Sequence, residues 1–394
     1  MRFYLNKMSC ASALGNTNAE VLESALAGST AGMAVLKDEV PSHEIKFGMV
    51  SADLPEIPDP HFDFRTVRLL MFAADSLKDD IGKLVEKYGK DRIAIVLGSS
   101  NTGIDEALRL VSKWIDEGER PKEFFFEQIE LGSSAKYLKS VLGLEGPAYV
   151  VSTACSSSAK VFSSARRLIE SGIADAAIVG GVDGRCRFAL NGFNALEALS
   201  YGDVKPLSAE RDGINLGEAV ALFTMETSPD FESGRCIRLA GVGETSDAYH
   251  ATAPEPDGKG AESSMREALR DAGMEPEDID YVNLHGTGTV ANDDMETRGV
   301  WRVFGDKPLC ASTKALTGHC LGAAGAIETA LGWLMLKYGG VVPHAGTEEI
   351  DPSFPKISIA KKSDSKKTVK TFLSNSFAFG GSNASVILVS EEEQ

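Results

Sequence analysis

"VVSTACSSSAKVFSSARRLIESG", residues 150–172, passes from β-branched apolar residues through a lone cysteine into a helical pattern. "AYVVSTA" (148–154) reads as a buried strand, and "SSSAKVFSSARRLIES" (156–171) as a helix that Gly172 closes. "DAAIVGGVD" (175–183) supplies the next buried strand, so the stretch is one α/β unit. Cys155 sits at the strand-to-helix turn, a geometry that exposes a nucleophile. The small neighbours Ala154, Ser156, Ser157 and Ser158 leave room for a substrate carbonyl. A free thiol titrates near ~8.5, and the N–H groups and partial positive charge of a helix start favour its anion. A buried structural cysteine would look the same at this level.

Working outward, the order of elements occurs twice. Residues 3–9 form a first strand; Thr17 and Glu20 then make a capping box ahead of the apolar stripe Val21, Leu22, Ala25 and Leu26. Residues 66–88 continue as helix, and "RIAIVLGSS" (92–100) is a buried strand ending in a glycine turn. Residues 104–147 mix helix with a Phe124–Phe125–Phe126 segment whose place the pattern leaves open. In the second part "SSMREALRDAG" is a helix, "DYVNLHGTGT" a strand entering a glycine loop, "PLCASTK" a strand and "HCLGAAGAIETALGWLML" a small-residue helix. "IAIVLGSSNTG" resembles "YVNLHGTGT", and "VSTACSSSAKVFSSARRLI" resembles "CASTKALTGHCLGAAGAIETAL". "GINLGEAVALFTMET" likewise resembles "AFGGSNASVILVSEE". Three matches in one order predict two α/β halves, 1–235 and 236–394, with functional loops meeting at their interface.

Composition narrows the class. The 394 residues are 43% hydrophobic and 25% charged, which reads as a globular protein with a substantial core. With 40 basic against 57 acidic residues the net charge is −17, and no basic stripe appears, so nucleic acid is not an expected partner. "KKSDSKK" (361–367) reads as a solvated turn. The six cysteines show neither CxxC nor zinc spacing, so no metal is expected and the thiols suit a reducing compartment, the cytoplasm. Asn6 and Lys7 break any signal-peptide core, and Glu328 interrupts "LGAAGAIETALGWLML", so no membrane segment is expected.

Two of the six histidines, His285 and His319, lie in glycine-rich turns of the second half, "LHGTGT" and "LTGHCLGAAG". If the halves pack pseudosymmetrically, both face Cys155. A Cys-His-His site suits acyl transfer: the cysteine carries the acyl group while imidazoles hydrogen-bond a developing enolate oxygen.

Seven stretches then carry a resemblance. "TACSSS", "GFNALEALS", "RDGINLGEA", "SDAYHATAPEPDG", "HGTGTVANDDMET", "STKALTGHCLGAAGAIE" and "SNSFAFGGSNAS" are similar, in order and over essentially the whole chain, to the β-ketoacyl-acyl-carrier-protein synthases. These are elongating condensing enzymes of the thiolase superfamily. The resemblance implies an α/β thiolase-like fold of duplicated halves in α-β-α-β-α layers. It implies decarboxylative condensation of malonyl-carrier with an acyl chain held on Cys155, and His285 and His319 as the decarboxylation pair. Lys314 and Glu328 match the family's buried polar residues, with an internal ion pair as the plainer reading. Phe379 and Cys155 would supply oxyanion-hole N–H groups. Phe379 and Phe377 would form the aromatic gate, and Thr287 and Thr289 would contact the pantetheine arm. No cofactor is bound in such enzymes, because phosphopantetheine comes with the acyl carrier protein. Arg65, Arg68 and Lys205 match docking positions for that acidic carrier, against this chain's own negative charge.

Ala378, Ser382 and Ala219 depart from the residues usual in the family and bear on the acyl pocket. The pattern lies nearer specialised synthases, such as the aryl polyene type, than a housekeeping fatty-acid enzyme. A homodimer and the catalytic half of a ketosynthase/chain-length-factor heterodimer are both compatible. A thiolase-type acyltransferase would need a second catalytic cysteine, and Cys320 is the candidate. A phosphate site at "FGGSN" lacks the lysine of a P-loop.

Overall fold

The computed structural model describes residues 1–231 and 234–393. Up to residue 231 the strands are β1 (Phe3–Ala11), β2 (Met33–Val40), β3 (His43–Gly48), β4 (Ile93–Gly98), β5 (Ala148–Val151), β6 (Ala176–Asp183), β7 (Leu216–Gly217) and β8 (Ala219–Glu226). From residue 234 they are β9 (Arg235–Ser246), β10 (Tyr281–Asn283), β11 (Leu309–Ala311), β12 (Ser358–Ile359), β13 (Thr371–Ala378) and β14 (Ser382–Glu392). Eleven of them line up as β12-β11-β10-β13-β14-β9-β1-β8-β6-β4-β5, and β2, β3 and β7 make a small separate sheet. The seam is short: β1 meets β9 only through Phe3–Leu239 and Tyr4–Arg238. Outward from it, each side runs through two antiparallel pairings and then two parallel ones, and β12 adds a third parallel pairing at the far edge of the second side.

The strands explain the layering. Every residue of β4, β6, β8 and β13 is buried, so both sheet faces must be covered by helices. Between the halves lie the helices Ser157–Glu170 and Ala324–Tyr338, packed on each other. The second is buried from Ala324 to Leu336 without interruption and touches strands of both sides. A helix buried around its whole circumference belongs at the centre of a protein, and the apolar residues of this one are the middle of the largest apolar cluster. Its Trp333 indole donates to the Leu5 carbonyl at 2.6 Å, tying it to β1. Outside, Arg65–Ser76 and Ser133–Leu142 cover the first half, and Lys259–Ala272 with Val290–Phe304 cover the second. The result is the thiolase-like α/β arrangement. Among the described residues no helix is long and apolar enough to cross a membrane.

Local chemistry sets the ends. The Thr17–Glu20 capping box is formed. The single helix expected over 66–88 is two, Arg65–Ser76 and Lys78–Tyr88, broken at Leu77, whose ψ of 5° leaves the helical range. The Phe124–Phe126 segment is a short turn ordered by rings: Phe124 meets Trp114 at 5.8 Å and Phe126 at 5.7 Å. The lysine run ends in a turn, with Lys367 paired to Asp364.

Candidate active site

Cys155 lies just ahead of its helix rather than in the first turn, since the helix starts at Ser157. Ala154 adopts φ 51°, a left-handed conformation that costs a non-glycine residue energy and forms the elbow. Serine hydroxyls hold that bend. Ser157 Oγ donates to the Ala154 carbonyl and accepts from the Thr153 N–H at 2.9 Å. Ser156 Oγ reaches the Thr153 carbonyl at 2.9 Å and Ser382 Oγ at 3.1 Å. Ser158 Oγ accepts from the Ala326 N–H at 2.8 Å, joining the two central helices. The serine run after the cysteine is therefore the elbow's framework.

His285 follows β10. Its own N–H and that of Gly286 each donate to a different oxygen of Glu296 at 2.7 Å, which fixes the turn. Gly286 has φ 41°, and a Cβ there would come within 2.5 Å of Ser312. Burial pushes the Glu296 carboxyl up to about 7 against those donors. His319 is held by its N–H to the Asn215 carbonyl at 2.7 Å, and its Nδ1 accepts from the Leu321 N–H at 3.2 Å. That acceptor role leaves the proton on Nε2. His285 Nδ1 is buried and has no hydrogen-bond partner among the described residues.

These elements converge. The Cys155 sulfur and one ring nitrogen each from His285 and His319 lie within 4.8 Å of one another, all three residues buried. The imidazoles stand edge to face with centroids 5.2 Å apart. Burial, then the Lys314 charge, holds both rings well below the ordinary histidine range, so both are neutral near pH 7. Burial also pushes the Cys155 thiol up to about 11, opposed by Lys314 and by the N–H groups of Phe379 and Cys155. The helix start therefore does not by itself yield a thiolate, because desolvation of the sulfur outweighs it. Two backbone N–H groups aimed at the sulfur are nonetheless the arrangement an acyl oxyanion needs. Lys314 Nζ bonds Glu328 Oε1 at 2.5 Å in a fully buried pair, and burial raises the Glu328 carboxyl.

No other histidine, cysteine or carboxylate cluster among the described residues converges closely enough to hold a metal. The buried Lys314 charge acts on all three groups and opposes a cation there. What the set can do is donate N–H bonds from neutral rings to an oxyanion.

A cavity of about 340 Å³ reaches Cys155 and His319 and is lined by Thr287, Thr289, Phe377 and Phe379 among others. The Thr287 and Thr289 hydroxyls bond each other at 2.9 Å, so the pair shapes the turn as well as the cavity wall. Phe377 stands against His285 at 6.2 Å, and Phe379 against Phe193 at 5.6 Å. Cys320 is apart from this set: its thiol points to the Thr317 and Gly318 carbonyls, and burial pushes it up. The three docking candidates are engaged elsewhere. Arg65 is turned inward onto buried Glu218, Arg68 pairs with Asp63 at 2.6 Å, and Lys205 pairs with Glu210 at 2.5 Å. Glu296 and Phe193 lie inside the quoted motifs, but nothing local distinguishes them from surface or core residues.

The family profile described as "Beta-ketoacyl synthase, N-terminal domain" matches residues 61–230, and "Beta-ketoacyl synthase, C-terminal domain" matches 237–348. A 3-oxoacyl-[acyl-carrier-protein] synthase 2 of Coxiella burnetii is 30% identical, with 98% of each chain covered. Nodulation protein E of Rhizobium meliloti is 33% identical over 87% of this chain and 88% of its own. The structure of the ketosynthase ApeO in complex with its chain length factor ApeC, from Xenorhabdus doucetiae, superimposes with a TM-score of 0.93. It is 38% identical over 99% of this chain and 98% of that one.

Proposed function

The chain belongs to the β-ketoacyl synthase family and is an acyltransferase of the condensing type, and on that premise we propose that Cys155 is its acyl-accepting nucleophile and His285 and His319 its decarboxylation pair. The convergence of that sulfur and two neutral imidazoles within 4.8 Å carries the reading. In the first step Cys155 Sγ attacks the thioester of an acyl-carrier. The oxyanion forms on the N–H groups of Cys155 and Phe379, and the pantetheine thiol leaves with the cysteine's proton. In the second, malonyl-carrier loses CO2, and its enolate oxygen accepts hydrogen bonds from His285 and His319 (His319 through Nε2). Neutral rings suit this task, because an imidazolium would over-stabilise the malonyl carboxylate in the ground state. In the third, the enolate carbon attacks the Cys155 thioester, and collapse of the tetrahedral intermediate breaks the C–S bond, releasing a β-ketoacyl-carrier two carbons longer and the Cys155 thiolate, which takes a proton from water. Loss of one oxyanion donor costs about 3 kcal/mol of transition-state stabilisation.

Phosphopantetheine arrives on the acyl carrier protein, and no resident cofactor or metal takes part. Thr287 and Thr289 meet the arm, and the Phe377–Phe379 pair divides the acyl from the malonyl side. Lys314 and Glu328 position the histidines through charge. The buried, unpaired cysteines suit the cytoplasm. The acyl chain we assign is of the specialised, polyene type. A second ketosynthase-like subunit, the chain-length factor, is the favoured companion over a second copy. The ApeO complex supports it, as does an uncovered apolar face on this chain: the helix Ile104–Glu117 buries only Ala107 and exposes Leu108, Trp114 and Ile115.

Intact-mass measurement against a panel of acyl-carriers tests the chemistry. An acyl adduct on the wild type that is lost in Cys155→Ala is expected, with β-ketoacyl-carrier formed once malonyl-carrier is added. An adduct that persists in that variant would overturn the assignment.

A further inference from the structure

The oxyanion hole is assembled from both halves of the chain. Cys155 comes from the elbow of the first half, and the Phe379 N–H, directed at its sulfur, comes from a loop of the second. That loop links β13 to β14 through Phe379, Gly380 and Gly381, and both glycines have positive φ, 84° and 73°. Such a backbone has many conformations open to it, so the donor's place depends on what the loop is tied to. Its ties to Asp247 and Ala251 stay within the second half. The Gly380 N–H donates to the Ala251 carbonyl and the Asp247 N–H to the Gly381 carbonyl, each at 2.8 Å. Asn383 Nδ2 donates to Asp247 Oδ1 at 2.6 Å. One tie crosses to the elbow: Ser156 Oγ is hydrogen-bonded to Ser382 Oγ at 3.1 Å. Among the described residues it is the only hydrogen bond from a side chain of residues 153–158 to residues 378–383.

We propose that Ser156 and Ser382 are positioning residues, whose bond holds the Phe379 N–H in register with the Cys155 sulfur. The chemistry demands such a link, because an oxyanion donor works only within about 2.7–3.1 Å of the oxygen it meets. Ser156 is suited to anchor it. Its side chain is fully buried beside the nucleophile, and its Oγ is also bonded to the Thr153 carbonyl at 2.9 Å and to Thr153 Oγ1 at 3.0 Å. The hydroxyl is thus fixed by the elbow's own backbone. Ser382 opens β14 three residues after Phe379, and the sheet pairs it with Ala378 on one side and Ser246 on the other. The bond therefore carries the position of the sheet to the elbow. Neither imidazole depends on it: the His285 turn is held by Glu296, and His319 by Asn215 and Leu321. The tether accordingly bears on the steps that place an oxyanion at Cys155, acylation and condensation, and spares decarboxylation. This assignment rests on the acyl-transfer reading of Cys155.

The test compares Ser382→Ala, Ser156→Ala, the double variant and Ser382→Thr in two assays. One is acylation of Cys155 by an acyl-pantetheine thioester, and the other is decarboxylation of malonyl-carrier. Removing an oxyanion donor outright costs about a hundred- to a thousand-fold in rate, and loosening one costs less. Ser382→Ala is expected to lower the maximal acylation rate about ten-fold, with the half-saturating concentration and the decarboxylation rate each within about two-fold. Ser382→Thr keeps the hydroxyl and is expected to acylate within about three-fold of the wild type. In the Ser156→Ala background, Ser382→Ala should add less than about two-fold, because the shared bond is already gone. Equal losses in both assays would overturn the inference, since a merely structural role moves both. Unchanged acylation in Ser382→Ala would overturn it too, as would effects that multiply in the double variant. A wild type that acyl-pantetheine does not acylate would strike the acyl-transfer reading itself, and this inference with it.

Discussion

Cys155 and the two histidines sit in one pocket, yet burial acts on them in opposite chemical directions. Desolvation keeps the sulfur protonated, up to about 11, and keeps the rings deprotonated. The two half-reactions should accordingly separate by pH. Alkylation of Cys155 by iodoacetamide is expected to rise by about ten-fold per unit between about pH 7 and pH 9, because the thiolate fraction grows that way below its pKa. Decarboxylation of malonyl-carrier should stay within about two-fold down to about pH 6. The rings gain protons only below their depressed pKa values, so nothing is lost until that point. A decarboxylation rate halved near pH 6.5 would show ordinary, ionisable histidines. Lys314 links these groups. Lys314→Met removes the charge that helps keep both rings neutral and strands Glu328, whose Oε2 already has no hydrogen-bond partner among the described residues. Breaking such a pair from one side costs about 3–5 kcal/mol, while replacing both partners with apolar residues recovers much of it. Denaturant unfolding should therefore find Lys314→Met less stable than the Lys314→Met, Glu328→Leu double variant. Equal loss in both would mean the pair itself stabilises the fold.

Among the elements, the two central helices depend on close approach. A Cβ on Gly325 would lie 2.7 Å from the Ala159 nitrogen and 2.9 Å from the Ala159 Cβ. Both helices are locked between strands, so neither can retreat easily. Gly325→Ala should cost about 1–3 kcal/mol by overpacking, and it should also slow acylation, because Ala159 lies in the first turn of the helix that supports the Cys155 elbow. Thr17→Ala, at the exposed capping box, should cost about 1 kcal/mol and leave acylation alone. Acylation lost equally in both would tie activity to global stability. These helices also show where the sequence is readable. The strand–cysteine–helix run, the Thr17 cap and the small-residue helix around Glu328 follow local patterns, and the structure has them. The break at Leu77 and the place of Phe124 do not: the apolar run continues across Leu77, and Phe124 is placed by ring contacts with Trp114 and Phe126 rather than by any periodic pattern. Arg65 shows the limit most plainly: its partner Glu218 is 153 residues away, so a cation that reads as surface charge is in fact turned inward. Glu296 is similar, a carboxylate in a polar helix whose value lies in two N–H groups ten and eleven positions earlier.

At the scale of the molecule, the first half supplies Cys155 and the second supplies His285 and His319, which converge on it, with the helix Ala324–Tyr338 packed against strands of both. One surface of this assembly remains uncovered. Trp114 and Ile115 are 36% and 77% exposed on the helix Ile104–Glu117, and Phe126, Ile129 and Leu131 are exposed just beyond it. Trp114 joins Phe126 through Phe124, so the helix and the following turn form one apolar region. Monomers seldom leave that much large apolar surface in contact with water, and the core of a permanent interface has this composition. A chain-length-factor subunit resting here would remove the surface from solvent. Expressed alone, the chain should then aggregate or pair with itself weakly. Co-expressed with its ketosynthase-like companion, it should elute from size exclusion as a one-to-one complex. Ile115→Glu places a charge in the middle of that face, where an unpaired buried charge is costly. It should abolish co-elution while the isolated chain still takes an acyl group from acyl-pantetheine at Cys155. Co-elution that survives Ile115→Glu and Trp114→Glu together would remove this face from the interface. A stable, fully active complex of two identical chains would remove the need for a second subunit.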